Sequence, residues 1–162
     1  MRNSWKLVAG LCILAFPNFT CKKLFHKECR NNAELLNGII IDRLNQDCLF
    51  SLNTQKEDII ATQAHWDSLW QNPKFPLQAD CQPQVIDFEK ESILIFKTVS
   101  GEGDVLVLDV SKDDQNHKYI FSIEEVNCSN KIIHHKVAIG SENAVRVPKI
   151  PNGWTVEFRE ED

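Results

Sequence analysis

The sequence predicts an α+β fold, a β-rich single domain with a mainly antiparallel sheet and one packed helix at about residues 62–71. Short apolar stretches recur at intervals of about 10–15 residues, which is typical of strands joined by turns. The links between them are too short for the crossovers that parallel strands require. Only one stretch has convincing helical periodicity. With 162 residues, 43% hydrophobic and 25% charged, the composition fits one globular domain and excludes a disordered or low-complexity chain.

Residues 1–20 have the layout of a secretory signal peptide. Basic residues and no acidic ones precede the apolar run LVAGLCILAF at residues 7–16, and a proline follows at position 17. A basic start, a short apolar stretch and a break are typical of an export signal. A spanning helix needs about 20 apolar residues, so this shorter run does not favour a permanent transmembrane helix.

Cys21 follows this segment and resembles the lipidated cysteine of a bacterial lipoprotein signal. That resemblance implies a lipoprotein with palmitate on its N-terminal anchor. Ordinary signal-peptidase cleavage, or retention of the segment as an anchor, is the alternative. The expected location is the exported bacterial cell envelope, with the protein anchored to a membrane and facing the periplasm or the surface.

Residues 21–37 are polar and are predicted to form a tether, so that the single β-rich domain spans residues 38–162. Basic side chains at positions 22, 23, 27 and 30 lie close to the anchor. Beside anionic lipid each contributes about 1 kcal/mol at best. They fit a solvated linker equally well.

The cysteine count supports export. Of six cysteines, one lies in the signal and Cys21 would carry lipid, which leaves Cys29, Cys48, Cys81 and Cys128. An even number in an oxidising compartment predicts two disulfides. We expect Cys48 to pair with Cys81, because both flank the same strand-and-helix unit, and Cys29 to pair with Cys128. No CxxC or CxH spacing is present, so a zinc site is the weaker hypothesis.

The first half of the domain is predicted to contain three short strands and the helix. The β-branched residues 39–41 predict a strand, residues 48–52 its hairpin partner, and residues 58–60 a third strand. Gly38 begins the folded part in this interpretation.

The helix is indicated by its cap and by its apolar face. Thr62 is a suitable N-cap. Trp66, Leu69 and Trp70 follow at helical spacing. The residue before a proline avoids the helical region, so the helix should end before Pro73. Two tryptophans on one face favour packing onto a sheet.

The second half is predicted to consist mainly of strands. A loop with three prolines occupies residues 73–84, and a glycine-containing turn is expected at residues 101–104. The predicted strands are residues 85–88, 92–99, 105–110, 119–124, 132–139 and 154–158. Pro148 and Pro151 demote residues 145–147 to an edge strand or a loop, because proline cannot donate to a ladder.

The order of these elements resembles a known bacterial family. HWDSLW lies on the predicted helix and is followed by a loop with proline and cysteine, VIDFEKESILIF, a glycine turn, VLVLDV and VPKIP. This resembles small secreted or lipid-anchored bacterial proteins related to the C-terminal domain of the protease-complex subunit PrcB. The resemblance covers residues 58–158 and is carried by Trp66, Trp70, Asp87-Phe88 and Pro148-Lys149-Ile150-Pro151.

The resemblance implies an accessory domain that binds or stabilises an envelope protease, or a lipoprotein of undefined role. No catalytic residues come with it. Family members often carry Gly-Gly or Gly-Gly-Tyr between the two buried strands, where this chain has Gly101-Glu102-Gly103-Asp104. A role of that double glycine or aromatic residue therefore does not carry over.

The motifs of common enzymes are missing from the sequence. A net charge of −5 argues against binding nucleic acid by neutralising phosphates. The chain has no GxSxG, no P-loop and no GxGxxG. We therefore expect no enzymatic activity and no cofactor.

Several polar groups favour structural roles. His134 and His135 would point to opposite faces of a strand and so cannot both bind one metal ion. Asp87 is interpreted as a turn or cap residue. Residues 112–116 are interpreted as a solvated turn rather than a calcium loop. No metal site is predicted.

The leading hypothesis is a non-enzymatic, lipid-anchored envelope protein that presents a surface to a protein partner, such as a protease. Candidate contact residues are Trp66, Trp70 and Lys149, the last because an edge near residues 148–151 would suit strand addition. The alternative is a small-ligand-binding module with a pocket between helix and sheet, which requires that Trp66 or Trp70 line a cavity.

Overall fold

The structure is a computed structural model that describes residues 35–101, 105–126 and 138–161. The predicted signal peptide, the lipidation site Cys21, the Cys29–Cys128 pair and His134–His135 lie outside the described residues. Among the helices that are described, none combines the length and the apolar character needed to cross a membrane.

The described residues form two four-stranded sheets and two helices. The strands are β1 (Leu35–Gly38), β2 (Asp42–Arg43), β3 (Glu57–Ile60), β4 (Glu91–Gly101), β5 (Val105–Asp113), β6 (Lys118–Val126), β7 (Ala138–Pro148) and β8 (Thr155–Glu161). The helices are α1 (Gln46–Leu49) and α2 (Gln63–Gln71). The prediction of a β-rich α+β fold with mostly antiparallel pairing is confirmed.

The strands divide into an antiparallel sheet and a mixed sheet, where a mainly antiparallel sheet was expected. The antiparallel sheet has the order β2-β7-β4-β3, and its longest ladder joins β4 to β7 from Glu91↔Pro148 to Gly101↔Ala138. The mixed sheet has the order β1-β5-β6-β8. Its central pair β5–β6 is antiparallel, whereas β1–β5 and β6–β8 are parallel. Parallel pairing is possible because each outer strand is far along the chain from its partner.

The antiparallel sheet is the middle layer of three. On one face, Ile93 and Ile95 pack in a cluster with Trp66 of α2. On the other face, Leu94 and Phe96 pack against the mixed sheet. Because successive strand residues point to opposite faces, the apolar run ILIF of β4 fills both cores at once.

Helix α2 begins and ends where the sequence predicts. Thr62 Oγ1 accepts a hydrogen bond from His65 N at 3.3 Å, and Asn72 is the C-cap before Pro73. Trp66 is buried, and its ring meets that of Trp70 edge to face at 5.5 Å. The helix therefore packs onto the sheet through its tryptophans.

Two predicted early strands are wrong. Residues 39–41 link β1 to β2, and residues 48–52 contain the end of α1 and a turn. Asn45 caps α1 by accepting a hydrogen bond from Asp47 N, so a local cap overrides the apolar run that follows. The third strand, predicted at residues 58–60, is confirmed as β3.

Gly38 ends β1 rather than opening the domain, so the first strand lies inside the segment expected to be a tether. Its φ is +70°, and a Cβ at this position would collide with the carbonyl oxygen of Val110. Only glycine fits both the turn and the close approach to β5.

Two later predictions also need correction. Residues 85–88 form no strand, although Ile86 is buried in the core. Residues 145–147 were expected at an edge or in a loop but lie in β7, between β2 and β4. Pro148 is the last residue of β7, so its missing N–H does not interrupt the ladder.

Candidate functional site

The candidate site begins where β4 loses one of its two neighbours. Strand β3 pairs with β4 only from Ile60↔Ile93 to Glu57↔Phe96, and one further bond joins Lys97 N to Lys56 O at 2.9 Å. Among the described residues no strand lies on this side of β4 beyond Lys97. Backbone N–H groups two residues apart point the same way, so the Val99 N–H is directed at this free edge.

A groove of about 550 Å³ lies beside the free edge, over both β4 and β7. Its floor is formed by Thr98 and Val99 of β4 with Gly140 and Ser141 of β7. Val99 is 66% exposed, whereas the preceding apolar residues of β4 are fully buried. Thr98 and Ser100 stay buried, so the second half of this strand, which was predicted to be buried, is open only on the face of Val99.

One wall of the groove carries exposed aromatic rings. Phe50 lines the groove, and its ring stacks on Phe75 with 5.6 Å between centroids. Both rings are exposed, at 60% and 42%. Such exposure is unusual for large apolar side chains that touch one another and is typical of contact surfaces.

This aromatic wall is fixed by the backbone and by a disulfide. Ser51 O accepts hydrogen bonds from Lys74 N at 2.8 Å and from Phe75 N at 3.2 Å. The disulfide Cys48–Cys81, with 5.3 Å between Cα atoms, joins α1 to the end of the same loop. The predicted Cys48–Cys81 pairing is confirmed.

Three lysines and two glutamates line the groove. Lys97 Nζ lies 2.9 Å from Glu142 Oε1 and donates to Thr54 O at 2.9 Å. Lys56 Nζ lies 3.3 Å from Glu160 Oε1 in a more exposed pair. Glu142 Oε2 is buried and has no hydrogen-bond partner within the described residues.

Lys74 differs from the other two lysines of the groove. Its ammonium lies 5.0 Å from the centre of the Phe75 ring. No carboxylate of the described residues pairs with it, in contrast to Lys56 and Lys97. The groove therefore combines an open strand edge, an apolar wall and a cation available to a bound anion.

A buried amide supports the floor from the side of the mixed sheet. Asn143 donates to Phe96 O at 3.1 Å and to Thr98 Oγ1 at 3.0 Å. Its oxygen accepts from Arg43 Nη2 at 2.9 Å and from Gln46 Nε2 at 3.1 Å. Burial lowers the pKa of Arg43 to about 10. Through these four side-chain hydrogen bonds, Asn143 of β7 links Phe96 and Thr98 of β4 to Arg43 of β2 and Gln46 of α1.

The tryptophans singled out by sequence lie outside the groove. Trp66 is only 2% exposed, and its Nε1 donates to Gln84 O at 3.2 Å. Trp70 is half-buried against the same core, and its Nε1 is buried without a partner in the described residues. Neither residue lines the 550 Å³ groove.

Lys149 lies at the opposite end of the β4–β7 ladder, next to Glu91↔Pro148. It is half-buried, and its Nζ donates to Ala61 O at 2.5 Å. Lys149 and Trp70 therefore both lie outside the groove.

Other polar groups have structural partners. Asp87 accepts hydrogen bonds from Lys90 Nζ at 2.7 Å and Glu89 N at 3.1 Å, which confirms its interpretation as a turn residue. The rings of His117 and Trp154 meet edge to face, with 5.4 Å between their centroids. No cluster of three or more His, Cys, Asp or Glu suited to a metal ion occurs in the part of the chain that is described.

The sequence pattern did not indicate Phe50, Val99 or the lysines of the groove as site residues. The one available signal was the change from the apolar run ILIF to KTVSG within a single strand, which marks where burial ends. Phe50 could not be found in this way, because its exposure depends on the turn after α1.

No protein-family model matches the chain, and no curated protein or solved structure shows significant similarity to it. Its function is therefore inferred from the groove itself.

Proposed function

We propose that this protein is a non-enzymatic lipoprotein of the cell envelope that binds an extended segment of a partner protein at the free edge of β4. The observation that carries the proposal is the end of β3 pairing at Lys97, while β4 continues to Gly101. Unpaired backbone groups at a sheet edge are a template for an added strand.

The surroundings of the edge suit such a segment. The groove of about 550 Å³ is open over Val99 and gives room for side chains of a strand added beside it. Phe50 and Phe75 offer an exposed apolar wall for alternate side chains of the segment. Aromatic residues are enriched among the energetically dominant contacts of protein interfaces. In this way main-chain hydrogen bonds supply affinity and the wall supplies selectivity.

The envelope location is supported by the N-terminal sequence pattern and by the cysteines. Residues 1–20 and Cys21 have the layout of a lipoprotein signal. The disulfide Cys48–Cys81 is typical of an oxidising compartment. The resemblance to PrcB-related domains makes an envelope protease one class of partner.

A small ligand is the second candidate occupant. The groove volume falls within the range of about 300–1,000 Å³ that is usual for ligand pockets. This site would lie at the strand edge, beside α1, rather than next to Trp66 and Trp70. The two candidates differ in their dependence on the backbone of β4, because a small ligand need not use it.

The Val99 N–H provides the test. Proline at position 99 removes this outward N–H without removing a hydrogen bond to β7, whereas Val99→Thr keeps it. The full-length protein, tagged and natively anchored, is cross-linked in its envelope and purified in detergent. We expect one stoichiometric protein partner with the wild type and with Val99→Thr, and its loss with Val99→Pro. Equal recovery with Val99→Pro would overturn strand addition.

Hydrogen exchange gives an independent test. In the purified full-length protein, the amides of Val99 and Gly101 should exchange quickly, and they should slow when the captured partner is added. Protection of both amides before any partner is added would show that residues of this chain already cover the edge, and the proposal would fail.

A further inference from the structure

We infer that the groove receives the C-terminal end of the partner segment, with its free carboxylate beside Lys56, Lys74 and Lys97. This inference rests on the proposed strand addition and adds the direction of the bound segment and the chemistry of its last residue. Three features carry it, namely the direction of β3, the space left beside β4, and the charges where the two meet.

The first feature is direction. Strand β3 runs antiparallel to β4, and Lys56 lies opposite Lys97 at its start. A segment that adds antiparallel to β4 runs from Gly101 toward Val99 on the same edge, in the same direction as β3. Its C-terminal end therefore approaches Lys56.

The second feature is space. Because Lys56 and β3 already occupy the edge of β4 from Ile93 to Lys97, a chain added beside Val99 cannot continue past Lys97. It must turn away or end opposite Val99. A chain that ends there needs no further room, and its terminal carboxylate can accept the Val99 N–H.

The third feature is charge. Three lysines line the groove (Lys56, Lys74 and Lys97), compared with two glutamates (Glu142 and Glu160). Lys74 has no carboxylate partner among the described residues, so it is available to an anion. A segment added in the parallel direction would place its N-terminal side near these lysines and gain nothing from them. Charge-assisted hydrogen bonds to a carboxylate are among the stronger polar contacts.

The geometry also defines the last side chain. Ile93 and Ile95 face the core that contains α2, and Val99 shares their face because it is an even number of residues away. A residue opposite Val99 projects on this same face, toward the side where α1 and Phe50 lie. An apolar C-terminal residue therefore fits best.

The test uses random hexapeptides in two forms. One library ends in a free carboxylate and the other in a C-terminal amide, and both are presented to the full-length protein in detergent micelles. Val99→Pro gives the background. We expect enrichment of carboxylate peptides with an apolar last residue, and about tenfold weaker binding of the amide form of a selected peptide.

The outcomes separate this inference from the proposed function. Equal enrichment of both forms above the Val99→Pro background would overturn the role of the carboxylate and leave strand addition standing. Enrichment of neither form above that background would overturn both.

A pair of lysine variants localises the carboxylate. Lys74→Gln should weaken the carboxylate form of a selected peptide about tenfold and leave the amide form unchanged. Lys90→Gln is the matched control, because Lys90 is an exposed lysine before β4, at the far end of that strand. Equal effects of the two variants, or an equal effect of Lys74→Gln on both peptide forms, would place the carboxylate elsewhere.

Discussion

The two halves of β4 pair with the same strand but have different surroundings. Along Ile93–Phe96, β3 covers the second edge, and the two cores cover the two faces, so every side chain is at most 2% exposed. Along Lys97–Gly101 the ladder with β7 continues, yet β3 has ended and Val99 is 66% exposed. The difference lies in the neighbours of the strand.

This comparison shows how one strand can be part of a filled core along one half and an open surface along the other. Ile95 and Val99 are both β-branched and point to the same face of the sheet. Their different burial comes from what lies above that face and along that edge. Strand preference measures how a residue fits its surroundings more than any property of its backbone.

The largest expected effect tests the buried half. Ile95→Ala removes buried methyl groups from a filled core and should lower the free energy of unfolding by about 3–4 kcal/mol. Val99→Ala should change it by less than about 0.5 kcal/mol, because the side chain is exposed. Urea titration of both variants measures the difference. Similar losses in the two variants would mean that the halves do not differ as described.

The second-largest effect is expected from removing the disulfide, because it holds the aromatic wall beside the free half of β4 in place. Replacing both Cys48 and Cys81 by alanine releases a closed loop with a sequence separation of 33 and should lower stability by about 3 kcal/mol. Urea titration gives the stability, and binding of a selected peptide reports on the wall. Phe50→Ala is the control, since it should weaken binding with little loss of stability. A double variant as stable as the wild type would contradict this role.

The two ion pairs of the groove should differ in how much they stabilise the fold, because one pair is more buried than the other. Lys97→Met leaves the Glu142 carboxylate, whose side chain is 11% exposed, without its partner. We expect a loss of about 1–2 kcal/mol, less than for a fully buried pair because Lys97 is partly exposed. Lys56→Met breaks the pair whose side chains are 65% and 53% exposed and should cost less than about 0.5 kcal/mol. Thermal unfolding would reveal equal losses if burial did not matter.

The smallest effect concerns the turn that leads into the buried half. Hydrogen bonds from the Lys90 side chain and Glu89 N lower the pKa of Asp87 below the usual 3.8. The charged carboxylate therefore stabilises the fold above pH 3.8, and this contribution is lost as the pH falls through the lowered pKa. Asp87→Asn should be slightly less stable than the wild type at neutral pH and equally stable at lower pH. A constant difference across a pH series of thermal unfolding would exclude this linkage.

Features set by neighbouring residues could be predicted from the sequence. The Thr62 cap, the apolar face of α2 and the buried ILIF run are local patterns, and each lies where expected. The Cys48–Cys81 pair was also found, because only a few cysteines were available to join one unit.

Features that depend on pairing between distant parts of the chain could not be predicted from the sequence. The division into two sheets depends on which strands meet, and β1 finds its parallel partner only in β5. The groove exists because β3 is shorter than β4, which no pattern within either strand reveals. Pro148 misled the prediction for β7, since a proline at the end of a strand has the same sequence context as one that breaks it.

The long-range pairing of the first two strands has a consequence for the order of folding. Leu35 pairs with Val107 and Asp42 pairs with Arg146, so among the described residues β1 and β2 find their partners only when β5 and β7 have been synthesised. Domains dominated by such distant pairings fold in about milliseconds to seconds, because long loops must close before the contacts stabilise them. Of the described strands, β1 and β2 are therefore made first but placed among the last, because they wait for these partners until the C-terminal half has been synthesised.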